Sequence, residues 1–369
     1  MTPLETILRD RIRAEGPLPV FEFMALALGH PEHGYYRTRD PLGTAGDFTT
    51  APEISQVFGE LIGMWLAVMW QQAGNPGAVR LVELGPGRGT LMADILRAAA
   101  IVPGFTDSLT VHLMETSQTL RAIQETTLAK KHSDIAVEWH DSFDQVPAGP
   151  LLIVANEFLD ALPVEQFIRA EDGWRRRCVG LSDDGALTFV DIDDPNSSVA
   201  AIPAEIRQSA EPGAISEICA PGTALIAFLA ERITRDGIAA LIVDYGHVRH
   251  GAGDTLQAVR GHKFQPVLDR PGEADLTAHV DFAALAKAAG RPGIRISGPV
   301  LQGAFLTELG IVERTEQIAG QATADAGREM REATHRLIAA DRMGHLFKVM
   351  AISNLNISPP PGFSTEGES

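Results

Sequence analysis

A glycine-rich segment follows an apolar run and opens a helical pattern. Residues 82–90 read VELGPGRGT, so Gly85, Gly87 and Gly89 alternate with other residues. Glycine lets a chain turn tightly and lets a ligand approach the backbone closely. The dinucleotide pattern G-x-G-x-x-G would need a glycine where Thr90 stands. The segment therefore predicts a ligand-binding loop of another kind, with a purely structural turn as the alternative.

An acidic residue, Glu83, lies at the end of the strand just before these glycines. A carboxylate at this place would repel a pyrophosphate but would suit a ligand that carries positive charge. The amino group and the sulfonium of S-adenosylmethionine (SAM) meet that requirement. We therefore expect SAM as the cofactor, bound by Glu83, Gly85, Pro86, Gly87 and Gly89.

The second and third strands of the pattern also end in polar residues. Glu115 ends the second strand, where an acid can accept hydrogen bonds from both ribose hydroxyls. Asp141 follows the third strand and is placed to accept from the adenine amino group, while Trp139 or His140 covers the ring. An exposed strand-end glutamate and a plain turn are the alternatives. We expect Glu115, His140 and Asp141 to bind the cofactor.

The fourth strand, PLLIVA, leads directly into Asn156, Glu157 and, three residues later, Asp160. In open α/β sheets, ligands bind beyond the carboxyl ends of the strands, so these side chains should face the cofactor cleft. Asn156 is assigned to cofactor binding, with an ordinary helix cap as the alternative. Glu157 and Asp160 are the candidate catalytic residues if the methyl acceptor is a guanidinium. Carboxylates hold a guanidinium in a planar two-bond fork, and because its pKa exceeds about 12 the proton leaves late.

These motifs lie on alternating β and α patterns, which predict an α/β fold with a doubly wound, mostly parallel sheet. Turn signals at Asp172-Gly173 and Asp184-Gly185 predict antiparallel strands within 163–192, a small β insertion. The segment 251–280 reads as loop-rich. The expected strands are 79–84, 109–115, 135–139, 150–155, 238–244 and 346–353. The expected helices are 89–100, 117–131, 221–236, 281–290 and 325–342.

The N-terminal part reads as a helical cap. Thr2 is a predicted N-cap, Pro3 suits the first turn, and Glu5 completes a capping box. Residues 30–51 form a long segment without periodicity, which predicts a functional or a disordered loop, and Pro52 opens a long helix. We expect an N-terminal region with the active-site loop at 1–75. We expect a SAM-binding core at 76–369, with the inserted β subdomain at about 163–215 and a disordered tail at about 358–369.

The composition limits the classes of partner that the chain is expected to bind. The net charge of −17 disfavours binding to nucleic acid and is compatible with basic substrates. Two cysteines favour neither a disulfide framework nor a zinc cluster, and His247, His262 and His279 have no ligand spacing, so we expect no metal. No apolar run reaches the roughly 18 residues of a membrane span. The N-terminal segment resembles neither a signal nor a transit peptide, so we expect a cytoplasmic protein; the oligomeric state is left open.

Five blocks occur in order along the chain between about residues 45 and 282: GDFTTAPEISQVFGELIG, ELGPGRGTLMADIL, NEFLDALPVEQF, DYGH and PGEADLTAHVDF. Together they resemble the MidA family of SAM-dependent methyltransferases, which is related to a mitochondrial complex I assembly factor that methylates arginine. The resemblance implies a class I, Rossmann-like methyltransferase fold with SAM as cofactor. It also implies a protein arginine as the methyl acceptor.

The resemblance also extends residue by residue. It matches Glu83 and the three glycines to the SAM loop, and Glu115 to the ribose-binding acid. It matches a loop signature that we expect to fold over SAM and the acceptor: Gly46, Asp47, Phe48, Thr49, Thr50, Pro52 and Glu53. Asp47 thus joins the catalytic candidates and Thr50 the cofactor-binding ones. The implied function is a protein arginine N-methyltransferase acting on a subunit of respiratory NADH dehydrogenase. A SAM-binding assembly chaperone without turnover and a small-molecule methyltransferase, with residues 30–51 as a lid, are the alternatives.

Overall fold

The structure, a computed structural model, describes residues 1–38, 49–131, 135–194 and 199–364. The chain forms two compact units, each assembled from separate stretches. The first unit consists of Met1–Phe48, Leu159–Leu225 and Arg249–Ala284. The second consists of Thr49–Phe158, Ile226–Val248 and Leu285–Ser369.

The second unit is built on a mostly parallel sheet, in which one strand runs antiparallel to its neighbours. Phe347–Asn354 is antiparallel to both of its neighbours. This arrangement confirms the predicted α/β, class I methyltransferase fold with a doubly wound, mostly parallel sheet. In spatial order the strands are Val137–His140, Leu109–Met114, Val79–Leu84, Leu151–Asn156, Ile238–His247, Phe347–Asn354 and Ile294–Leu301.

The central strands are apolar because helices cover the sheet. Every residue of Leu151–Asn156 is buried, as is typical of a parallel strand covered on both faces. The helix Gln56–Gln72 packs on Thr90–Ala99, and both contribute to the core of this unit. The α-helices of the unit, two of which cross its sequence boundaries, are Ala51–Ile54, Gln56–Gln72, Thr90–Ala99, Gln118–Lys131, Ala220–Asp236, Phe282–Ala289, Gln302–Glu308, Ile311–Ala319, Ala324–Ile338 and Met343–Leu346. Single 3-10 turns lie at Thr106–Ser108 and Phe143–Gln145.

The predicted long helix that begins at Pro52 is two helices. Ala51–Ile54 ends at Ser55, whose backbone is extended with φ −151°. The Ser55 hydroxyl accepts a hydrogen bond from the Val57 N–H and so caps Gln56–Gln72. The break occurs because a serine at this position favours a new N-cap over continuation of the helix.

The first unit combines helices with two antiparallel sheets. The capping box predicted at Thr2 is confirmed, and so are the hairpins at 172–173 and 184–185. Three short strands replace the predicted loop within 251–280. The strands are Leu18–Pro19, Glu165–Ala170, Gly173–Leu181, Leu187–Ile192 and Ile215–Ile218 in one sheet, Gln257–Arg260, Lys263–Gln265 and Asp275–Thr277 in the other, and Val280–Asp281. The helices are Pro3–Glu15, Val20–Gly29, Tyr35–Thr38 and Ala204–Ser209, with a 3-10 turn at Val199–Ala201.

The structure groups the chain differently from the predicted boundaries. The predicted region 1–75 is divided, because Pro3–Glu15 packs in the core of the first unit and Gln56–Gln72 in the core of the second. The predicted insertion 163–215 is part of a larger assembly that also includes 249–284.

The predicted disordered tail needs correction over 358–364. Pro361 accepts a hydrogen bond of 3.1 Å from the Trp65 indole, and Glu308 accepts one of 3.0 Å from the Gly362 N–H. Phe363 packs against Phe305. These contacts order the segment, although its composition is typical of disorder; residues 365–369 lie outside the described residues.

Candidate cofactor and active site

The glycine loop joins Val79–Leu84 to Thr90–Ala99 and turns through left-handed backbone. Gly85, Gly87 and Gly89 have φ of 64°, 52° and 79°, which favour glycine. A Cβ at Gly85 would lie 2.7 Å from the Phe158 ring. Pro86 closes the turn, because its carbonyl accepts the Gly89 N–H at 2.7 Å. The three glycines are therefore needed for the conformation of the loop, and Gly85 is needed for space as well.

Two buried acceptor atoms lie at the ends of adjacent parallel strands, Val79–Leu84 and Leu151–Asn156. Glu83 is 3% exposed and Asn156 is 9% exposed. Among the residues that the structure describes, neither Glu83 Oε2 nor Asn156 Oδ1 has a hydrogen-bond partner. Burial raises the pKa of the Glu83 carboxyl to about 8. Native proteins rarely leave buried acceptors unpaired, so both atoms indicate that a ligand with donor groups binds here.

Glu115 is buried within a network of polar groups. Its carboxylate accepts hydrogen bonds from the Ser117 N–H at 2.7 Å and from the Gln124 amide at 3.2 Å. The same Gln124 amide donates to the Gly87 carbonyl, and its oxygen accepts from the Trp139 indole. Burial raises the pKa of Glu115, and the hydrogen bonds oppose that shift. Gln124 thus links the acid to the glycine loop.

At the end of the third strand, His140 and Asp141 form hydrogen bonds with other side chains of the protein. The Asp141 carboxylate accepts from the Arg121 guanidinium at 2.7 Å. Arg121 also donates to the Glu115 carbonyl. The His140 ring lies 2.9 Å, Nε2 to Nδ1, from that of His112. Cofactor binding by His140 and Asp141 stays a prediction.

Glu157 adopts a left-handed backbone with φ 50°, unusual outside glycine and frequent at functional sites. Its Oε1 accepts from the Ala51 N–H at 3.0 Å and from the Asn156 amide at 3.2 Å. Asp244, 1% exposed, accepts from the backbone N–H of Phe158 at 3.2 Å. The turn after the fourth strand is therefore held on both sides, and Glu157 caps Ala51, the first residue of the short helix at the end of the loop signature.

The short helix Ala51–Ile54 is tied to the glycine loop as well. The Glu53 carboxylate accepts from the hydroxyl of Thr90, the first residue of Thr90–Ala99. Thr50, the N-cap residue of the short helix, makes no side-chain cap hydrogen bond. Asp47 lies outside the described residues. The end of the signature loop is thus fastened both to the glycine loop and to the fourth strand.

Asp160 belongs to the first unit, unlike the other described candidates. It is 6% exposed, and its carbonyl accepts the Ala278 N–H at 3.0 Å. In the same unit the Tyr36 hydroxyl donates to both Asp275 carboxylate oxygens. Burial first, then the charges of Asp275 and Asp160, raise the pKa of Tyr36. Asp160 is therefore part of a buried acidic environment.

Sequence reasoning missed Gln124 and Asp244 as residues that organise the site, and it named Glu53 only as part of the loop signature. Gln124 lies mid-helix, where nothing in the sequence distinguishes it. Asp244 and Glu53 lie in blocks that carry the family resemblance, and their position at a strand end or helix start was the available signal.

A family model described as "Putative S-adenosyl-L-methionine-dependent methyltransferase" matches residues 61–300. The chain is 37% identical to "Protein arginine methyltransferase NDUFAF7, mitochondrial" of Danio rerio, over 94% of this chain and 86% of that protein. It is 36% identical to the Homo sapiens protein of the same name, over 95% of this chain and 83% of that protein. The chain therefore belongs to this family of SAM-dependent methyltransferases, and the resemblance to the MidA family is confirmed.

A solved structure supports the same assignment of the fold. The crystal structure of a superfamily member from Burkholderia thailandensis, bound to S-adenosyl-homocysteine, matches with a TM-score of 0.86 and 28% identity. The match covers 99% of this chain and 95% of that one. SAM is the cofactor of the family, and this chain fits it, because two orphaned acceptors and three left-handed glycines meet at one sheet edge.

One prediction from the sequence is wrong. The curated relatives are named as mitochondrial proteins, which contradicts the expected cytoplasmic location. The expectation rested on the absence of recognisable targeting features at the N-terminus, which is weak evidence because such segments are read by composition alone. Within the described residues, none of the helices combines the length and the apolar character required to cross a bilayer.

Proposed function

We propose that this chain is a protein arginine N-methyltransferase that acts on a subunit of respiratory NADH dehydrogenase and thereby aids complex I assembly. The observation that carries the proposal is the 37% identity, over 94% of this chain, with a protein named as an arginine methyltransferase. The net charge of −17 supports a basic acceptor, because an acidic surface attracts arginine-bearing segments.

Bound SAM supplies an electrophilic methyl group. We assign Glu83 and Asn156 to its amino group, because both present buried acceptors that need a donor. Glu115 is assigned to the ribose hydroxyls, and the backbone of the glycine loop is assigned to line the cofactor. His140, Asp141 and Thr50 remain proposed neighbours of the cofactor.

The acceptor guanidinium has to be paired and aimed, since its proton leaves only late in methyl transfer. Glu157, Asp160 and Asp47 are the proposed catalytic carboxylates. The left-handed turn and the hydrogen bond to Ala51 orient the Glu157 carboxylate. A carboxylate that is held by the protein aims a guanidinium without further ordering, which is the positioning that this reaction needs.

The test combines labelled SAM with purified NADH dehydrogenase subunits, followed by hydrolysis and analysis for methylarginine. Glu157→Gln should abolish labelling and keep SAM binding by calorimetry, because the amide oxygen can still accept from Ala51. Glu125→Gln, an exposed change of the same charge, is the matched control.

Three results would contradict the proposal. Label found only in small molecules would indicate a small-molecule methyltransferase. Tight subunit binding without any label would indicate an assembly chaperone. Loss of SAM binding in Glu157→Gln would move Glu157 from the acceptor to the cofactor.

A further inference from the structure

We propose that His112, Glu138 and His140 form a binding site for a divalent transition metal ion of the zinc type. These three residues, here called the His–Glu cluster, offer ligand atoms that all lie within 4.8 Å of one another. The proposal is independent of the methyl acceptor and of the catalytic carboxylates.

Strand pairing brings the cluster together. Leu109–Met114 and Val137–His140 are parallel, and His112 pairs with Glu138 in their register. Because side chains alternate along a strand, Glu138 and His140 share one face, and cross-strand neighbours lie on the same face. The three residues come from two strands, which is why the spacing of histidines along the chain gave no sign of them.

The distances suit a zinc ion. His112 Nδ1 lies 2.9 Å from His140 Nε2, and Glu138 Oε2 lies 3.6 Å and 3.9 Å from these two nitrogens. A point about 2.0 Å from all three atoms lies in their plane, which matches Zn–N and Zn–O bonds of about 2.0–2.2 Å. A tetrahedral ion needs the nitrogens roughly 3.3 Å apart, so the rings must separate by a few tenths of an ångström. Two histidines and a glutamate, with water as the fourth ligand, are an established zinc set.

A neighbouring hydroxyl contacts the second ring nitrogen of His112. Thr110 Oγ1 lies 3.1 Å from His112 Nε2 and 3.4 Å from the Val79 carbonyl oxygen. Metal-ligating histidines commonly use their second nitrogen in such a hydrogen bond to fix the ring. In the tautomer with the proton on Nε2, His112 donates to Thr110, and the lone pair of its Nδ1 faces His140. Zinc would bind this tautomer, with the proton of His140 on Nδ1.

Burial and access also favour the site. His112 is 1% exposed and His140 is 9% exposed, so packed neighbours hold both rings in place. The Glu138 side chain is 56% exposed, which leaves a route from solvent to the ligand atoms.

The experiment titrates zinc chloride into chelator-stripped full-length protein by calorimetry, without SAM. We expect one equivalent to bind to the wild type. Glu138→Gln removes the anionic ligand at an exposed position, so it should fold normally, as circular dichroism will verify. Because loss of even an outer partner weakens metal binding by about 10–100-fold, loss of this ligand should cost at least tenfold. His140→Gln should do the same.

Two exposed residues provide matched controls. Glu125→Gln repeats the charge change, and His335→Gln removes a histidine elsewhere on the described surface. Both should bind zinc as the wild type does. Absence of zinc uptake by the wild type, or uptake that both cluster variants leave unweakened, would overturn the proposal. SAM affinity is measured in parallel, so that failure of the metal site is distinguishable from failure of the methyltransferase assignment.

Discussion

The protein buries the carboxyl group of Glu83 at the edge of its parallel sheet, with Oε2 lacking a hydrogen-bond partner among the described residues. Glu83→Gln keeps the shape of this side chain and removes its ability to ionise. In the folded, SAM-free state the pKa rises from 4.5 to about 8, and the cause is burial. The variant therefore isolates the cost of burying a carboxyl group at the place where we propose that SAM binds.

The direction in which the unfolding free energy changes with pH follows from proton binding by Glu83. Between pH 4.5 and about 8 the unfolded chain loses the proton of Glu83 while the folded chain keeps it. The free energy of unfolding therefore falls as pH rises through this window and is constant above it. At pH 7 the difference amounts to about 3 kcal/mol of lost stability. Glu83→Gln should be more stable than the wild type by that order at pH 7 and about equal to it near pH 4.5.

The assay is urea unfolding of SAM-free wild type and variant at several pH values. Subtraction removes the contributions of other buried acids, such as Glu115 and Glu217, whose pKa values are raised by burial too. Glu125→Gln should show no pH-dependent difference. A stability difference between wild type and Glu83→Gln that does not change with pH would refute the reasoning.

The same variant tests cofactor binding. In the proposed site the amino group of SAM would favour the ionised Glu83, so binding at pH 7 should release close to one proton from the wild type and none from this position in Glu83→Gln. Calorimetry in two buffers of different ionisation enthalpy measures that proton. Affinity should fall at least tenfold in the variant. Equal affinity and equal proton release would remove Glu83 from the SAM site.

Three further substitutions test the glycine loop, the carboxylate of Asp244 and the cap of the N-terminal helix. Gly85→Ala should lose SAM affinity and unfold at lower urea, because left-handed backbone costs about 1–2 kcal/mol and its Cβ would clash with Phe158. Asp244→Asn should lower the unfolding free energy by about 1–3 kcal/mol, because one of the two backbone N–H groups that donate to this carboxylate loses its acceptor. Thr2→Ala should cost about 0.5–2 kcal/mol through loss of the N-cap.

A matched control variant for each substitution tests whether the named contact causes the loss of stability or affinity. Gly74→Ala has a similar φ of 83° but nothing within 4 Å of the added Cβ, so it should lose less stability than Gly85→Ala and bind SAM normally. Asp10→Asn changes an exposed aspartate and should be neutral. Thr323→Ala removes an exposed cap and should cost less than Thr2→Ala, which also loses the bond to Pro271. Equal effects within any pair would show that the named contact contributes nothing.

Much of the second unit could be predicted from local patterns. The strand expected at 79–84 is Val79–Leu84, and the helix expected at 117–131 is Gln118–Lys131, because hydrophobic period and flanking turn residues act over short distances. The order of strands and helices then led to the doubly wound sheet. Where local signals competed, prediction failed: Ser55 capped a new helix inside a continuous apolar stripe.

Sequence by itself thus determined most strands of the sheet, the glycine loop and the acids at its edge, since each depends on residue type and on neighbours along the chain. The sheet strand Ile294–Leu301 and the two helices that follow it were not predicted. The tertiary structure decided which distant groups meet. Gln124 reaches both Glu115 and Gly87, and Glu157 caps the helix at Ala51, because strand ends and helix starts converge in space. The His–Glu cluster likewise exists only through the register of two strands, since pairing, rather than spacing along the chain, sets which side chains are neighbours.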